Sequence, residues 1–162
     1  MPPLKSLIVL LLATPLAAQI AGSWKLVNPP DLTATIDHST AGMNFLIRPI
    51  ARGRLKKTNP AYPHLVIQQQ PKEWVIRYDQ RAPQHMPSDG TAVDWAREDG
   101  EHFQLSAHAE QNDLIQTYQA PDGKRVNRFH LDPGTGVLTL AVTVTSPKLP
   151  APLSYTLSYS RD

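Results

Sequence analysis

The chain has 162 residues, no cysteine, 41% apolar and 7% aromatic side chains, and a formal charge of +2. Length points to one domain, and the missing cysteine excludes disulfides, thiolate metal sites and thiol nucleophiles. Near-neutral charge excludes a generic polyanion binder, so no nucleic-acid partner is expected, and the sixteen prolines scatter without repeat.

Residues 1–18 carry one basic residue, Lys5, then an apolar run over 7–13 and the small pair Ala17-Ala18. That order reads as a secretory signal, and the run is short for a bilayer core of about 30 Å. Removing it leaves one domain over 19–162, about 144 residues. A cysteine-free exported chain fits a bacterial periplasmic or secreted protein, because small animal extracellular domains commonly carry disulfides.

The domain opens on a short strand, 23–27, closed by Asn28-Pro29-Pro30. Leu32, Ile36, Ser39, Met43 and Ile47 then recur at three- and four-residue spacing, which predicts a helix beginning near Asp31. Pro49 interrupts it and fits the first turn of a second helix, 50–57, so the helical pair lies within about residues 31–58. Alternation follows over 62–69, 73–80, 91–97, 102–110, 114–119, 124–131, 137–145 and 153–161, with turn signals such as Asp99-Gly100 and Pro121-Asp122-Gly123 between. About nine to ten antiparallel strands joined by short turns predict an all-β, up-and-down sheet, which closes into a barrel to remove its edges.

Gly22-Ser23-Trp24 on the first strand and Arg161 near the end of the last resemble the closure signature of the calycins, the lipocalin and fatty-acid-binding-protein superfamily. The resemblance implies that Trp24 closes one end of the barrel under Arg161, a cation–π contact joining first and last strands. Helices after the first strand resemble the helix-turn-helix lid of the fatty-acid-binding proteins. The Arg-X-Tyr carboxylate clamp of that subgroup is not reproduced, since Tyr159-Ser160-Arg161 runs in the reverse order. The function implied is non-catalytic: an exported monomer sequestering a small hydrophobic or amphipathic molecule, anionic ones included, inside the barrel, with no cofactor.

Charge is unevenly distributed. Between Asp37 and Glu73 there is no acid, and Arg48, Arg52, Arg54, Lys56, Lys57 and Lys72 give this stretch +6. On a helical wheel Ile47, Ile50, Ala51 and Leu55 form an apolar face, and Arg48, Arg52 and Lys56 form a polar row. Arg54 falls within the apolar arc, where it either faces the barrel mouth as a partner for an anionic head group or pairs with Asp79 or Asp94. The basic surface of Arg48, Arg52, Lys56 and Lys57 is either a solvated face or a peripheral contact for anionic membrane. Met43, Ile47, Ile50, Trp74, Tyr78, Trp95 and Tyr159 are candidates for lining a ligand cavity, and Arg77, Arg128 and Tyr159 for interior polar groups.

No metal site is expected. His102 and His108 share a strand face about 20 Å apart, and the other histidines lack ligand spacing. No nucleophile elbow, zinc-protease motif or phosphate loop is present. An isomerase or cyclase would need an interior His or carboxylate with perturbed titration. The alternative to a carrier is a filled barrel that uses the basic lid to contact an envelope partner or membrane.

Overall fold

The computed structural model describes residues 19–162. The candidate signal, 1–18, lies outside the described residues. Strand β1 (Gly22–Val27) leads into helices α1 (Thr33–Thr40) and α2 (Arg48–Thr58). The remaining strands follow as β2 (His64–Gln69), β3 (Glu73–Tyr78), β4 (Gln84–Pro87), β5 (Val93–Ala96), β6 (His102–Glu110), β7 (Asp113–Ala120), β8 (Gly123–Leu131), β9 (Leu138–Thr145) and β10 (Leu153–Arg161). All ten strands belong to one antiparallel sheet in the order β4-β3-β2-β1-β10-β9-β8-β7-β6-β5. First and last strands pair, with Trp24 opposite Arg161, and the sheet edges are β4 and β5. A lone bridge between Asp89 and His108 spans that seam, so the barrel is nearly closed.

Alternation explains the strands. In β10, Leu153, Tyr155, Leu157 and Tyr159 are buried, while Ser154, Thr156 and Ser160 are exposed. The same parity carries across the registers and stacks the interior in tiers. Trp24, Trp74, Phe129, Leu138, Leu140 and Tyr159 form an apolar base. Above them Gln116 pairs across with Asn127 and Asn127 with Val142. Above that, Tyr118 pairs across with Arg125 and Arg125 with Val144.

The helices differ from expectation in extent. Asp31 Oδ1 accepts the Thr33 amide at 2.9 Å and starts α1, as the sequence indicates. However, α1 stops at Thr40 rather than running on to Ile47. Tight turns, Ala41 N–H to the His38 carbonyl and Met43 N–H to the Thr40 carbonyl, unwind it before Gly42 and Asn44. Pro49 sits in the first turn of α2, where its missing N–H is harmless. The sheet also contains a strand absent from the sequence pattern, β4, whose inward residues are Gln84 and Met86.

Candidate functional site

A cavity of about 560 Å³ lies between the lid and the upper tier of the barrel. Met43, Ile47, Ile50, Ala51, Arg54 and Leu55 roof it, and Tyr62, Tyr78, Trp95, Phe103, Tyr118, Arg125 and Val144 are among its walls. Trp95, Phe103 and Tyr118 form a mutual cluster with ring centroids 5.5–6.1 Å apart. Edge-on and tilted packing of this kind holds the rings in place while leaving apolar faces to a ligand.

Met43, Ile47, Ile50, Arg54, Tyr78 and Trp95 therefore meet at one cavity. Trp74 and Tyr159 do not: both lie in the apolar base, and the Tyr159 hydroxyl donates to the Tyr62 carbonyl at 3.1 Å. The expected apolar face of α2 is buried only at Leu55, with Ile47 and Ile50 53% and 73% exposed where the helix lifts away from the barrel. Arg54 stands at the rim with its side chain 68% exposed, 3.1 Å from Glu101, a partner different from the Asp79 or Asp94 anticipated. Arg48 donates to the carbonyls of Ala41 and Met43, and Arg52 lies 2.9 Å from Asp37. Half of the basic row thus ties the two helices together, while Lys56 and Lys57 are exposed. Arg128 is on the outer face of β8, paired with Asp113 and Glu110, because residues 125, 127, 129 and 131 are the ones that turn inward.

Arg125 is the cation inside. Its Nε donates to Asn127 Oδ1 at 2.9 Å and its Nη1 to Asn59 Oδ1 at 3.0 Å. Among the described residues no carboxylate lies within ion-pair reach of it; the neutral Tyr155 phenol stands beside it, and Nη2 makes no close hydrogen bond to the protein. Sequence reasoning passed over this residue, although its parity with Phe129 and Leu131 marked it as inward-facing.

Beneath Arg125 a neutral network closes the cavity floor. Gln116 receives the Tyr78 hydroxyl at 2.7 Å and the Asn127 amide at 2.9 Å, and donates to Gln84 at 2.7 Å. The Tyr118 hydroxyl also donates to Gln84, at 2.7 Å. Burial pushes the Tyr118 phenol up to about 12 and the Tyr78 phenol well above its ordinary range. Both stay neutral donors at physiological pH. The site is thus an apolar, aromatic hollow with one uncompensated guanidinium on a neutral floor.

At the opposite end, Arg161 lies over the Trp24 ring, 4.5 Å from its centroid. The Trp24 indole donates to the Ile20 carbonyl at 2.9 Å. Gly22 has φ of 151°, and a Cβ there would run into Arg161 Nη1.

No family model matches the sequence, and no curated protein matches it. Solved structures do resemble it. The REP1-NXSQ fatty acid transporter aligns over 90% of this chain and 98% of its own, with 17% identity and a TM-score of 0.60. Fatty-acid-binding protein 1 of Echinococcus granulosus aligns over 87% and 96%, with 12% identity and a TM-score of 0.55. The zebrafish ileal bile-acid-binding protein complexed with cholic acid aligns over 88% and 98%, with 13% identity and a TM-score of 0.52. Ten antiparallel strands in a nearly closed barrel, with two helices after the first strand, give this chain the fold of the fatty-acid-binding proteins.

Proposed function

We propose that the chain is a non-catalytic carrier that holds one small amphipathic anion in its barrel, apolar part beneath the lid and anionic group on Arg125. The observation that carries this reading is the guanidinium itself, facing a hollow of about 560 Å³ without a carboxylate partner. A buried cation is costly unless paired, and an incoming carboxylate, sulfate or phosphate supplies the pair through charge-assisted hydrogen bonds. Apolar burial along Leu55, Trp95, Phe103 and Val144 supplies the affinity, at about 25 cal/mol per Å² removed from water. The volume falls within the range of about 300–1,000 Å³ typical of small-molecule sites. A solidly filled barrel, the alternative, is at odds with such a hollow. The ligands named for the structural neighbours, a fatty acid and cholic acid, are amphipathic acids of this kind.

Calorimetry with dodecanoate and dodecanol tests the reading. Dodecanoate is expected to bind, and Arg125→Met to weaken it about tenfold or more while leaving dodecanol unchanged, since hydrogen bonds to charged groups contribute about 1.5–3 kcal/mol. Failure of both compounds to bind, with no ligand co-purifying in native mass spectrometry, overturns it.

The order of residues in 1–18 supports an exported, periplasmic or secreted carrier acting as a monomer. Loading from anionic membrane is supported by the exposed Phe45, Leu46, Ile47 and Ile50 beside Lys56 and Lys57. Cell fractionation tests both points. The protein is expected outside the cytoplasm with an N-terminus near residue 19, sedimenting in part with membranes at low salt and released at high salt. A cytoplasmic protein retaining Met1 refutes export, and salt-independent behaviour refutes the membrane contact.

A further inference from the structure

The C-terminal end of the lid helix is fastened to the same cation that faces the cavity. Arg125 Nη1 lies 3.0 Å from Asn59 Oδ1 and 3.5 Å from the Thr58 carbonyl. Asn59 caps α2, is only 4% exposed, and turns its own amide back to the Leu55 carbonyl at 2.9 Å. The last carbonyls of a helix carry partial negative charge, so α2 neutralises part of the guanidinium when nothing else does.

We infer that an anionic ligand seated on Arg125 unfastens the C-terminal end of α2, so that arrival of the head group at the floor loosens the lid above it. The inference rests on the carrier reading and adds its regulation. A guanidinium offers two edges that present paired N–H bonds to an anion, one combining Nη2 with Nε and the other Nη2 with Nη1. Here Nη2 is available, but Nε is engaged by Asn127 and Nη1 by Asn59 and Thr58. A two-pronged anion therefore competes with Asn127 on one edge or with Asn59 and Thr58 on the other. Asn127 is fully buried and also donates to the Tyr78 hydroxyl at 3.1 Å and Gln116 at 2.9 Å, which fixes it between neighbouring strands. Asn59 ends a helix whose start already stands off the barrel at Ile47 and Ile50; Leu55, one turn back, is buried, and beyond Arg125 the Asn59 oxygen meets, among the described residues, only the Tyr155 hydroxyl, at 3.5 Å. The helix side yields. Once it does, the Asn59 oxygen and Thr58 carbonyl face the ligand's oxygens, acceptor against acceptor, and the helix end is repelled. A neutral ligand of the same length leaves the fastening intact.

Coupling between two partners of one group is reciprocal, so weakening the fastening tightens the anion. Hydrogen-exchange mass spectrometry of the chain, saturated with dodecanoate or with dodecanol, reads the effect directly. Dodecanoate is expected to speed exchange of the amides of 55–60 several-fold, while dodecanol leaves them unchanged or slower. Asn59→Ala is expected to bind dodecanoate about fivefold or more tighter, with dodecanol affinity unchanged. If dodecanoate binds in an Arg125-dependent way yet the amides of 55–60 are unmoved or protected, the inference fails and the carrier reading stands. If neither compound binds, both fall. Should Asn59→Ala not fold, the exchange comparison on the unaltered chain decides alone.

Discussion

At Gly22 a single missing Cβ decides how the barrel closes. The backbone there lies at φ 151°, and a Cβ would displace the end of the Arg161 side chain, which lies over the Trp24 ring. Arg161 also donates to the Gln19 carbonyl at 2.7 Å and the Ala21 carbonyl at 3.2 Å, so one guanidinium holds the start of the domain to its last strand. Gly22→Ala is expected to lower stability by about 1–3 kcal/mol, through backbone strain and the displaced cation. Urea titration checks this: the midpoint should fall with an unchanged slope, and an unmoved midpoint refutes it. The pairing of Trp24 with Arg161 was legible because Trp24 is one of three tryptophans and the two residues stand on the first and last strands, which meet where a barrel closes. Arg125 was not, since Lys124, Arg125 and Arg128 on one polar strand look alike until neighbouring strands fix which parity turns inward.

Strand ends were legible where both faces speak clearly. Strands β6 and β10 span 102–110 and 153–161, the limits that their alternation indicates. Strand β4 was hidden because its buried residue Gln84 serves the floor network rather than an apolar core, so polarity alone suggested a loop. The lid was read correctly as two helices, but its basic charges were less free than their sum implied. Arg52 and Arg54 are spent on Asp37 and Glu101, and Arg48 on the end of α1. Long-range partners of this kind, such as Glu101 for Arg54, leave no trace in local spacing.

For the molecule as a whole, periodicity identified a barrel but could not say whether it was hollow. Hollowness follows from the lid standing off the sheet at Ile47 and Ile50 while the floor is filled by amides and phenols. That floor makes stability sensitive to alkali. Tyr118 titrates at about 12 in the fold against about 10 in an unfolded chain, and Tyr78 is also shifted well upward. The native state therefore favours the protonated phenols. The Tyr118 contribution is fully present below pH about 10 and is lost as pH rises through about 12, and the Tyr78 shift acts in the same direction. Thermal melts followed by circular dichroism should show a flat melting temperature up to about pH 10 and a steep fall above it. Tyr78→Phe with Tyr118→Phe should make that fall shallower, the upshifted phenols of Tyr62, Tyr155 and Tyr159 keeping the remainder, and an unchanged alkaline limb in the double variant refutes the assignment.

The pairing of β1 with β10 also dictates the order in which this molecule comes into being. Synthesis delivers residue 24 early and residue 161, the cation that lies over Trp24, late. Local hairpins from β2 onward can form as they emerge, but the seam between first and last strands is a contact of high sequence separation and forms slowly. Until residue 161 arrives, the seam between the first and last strands stays open.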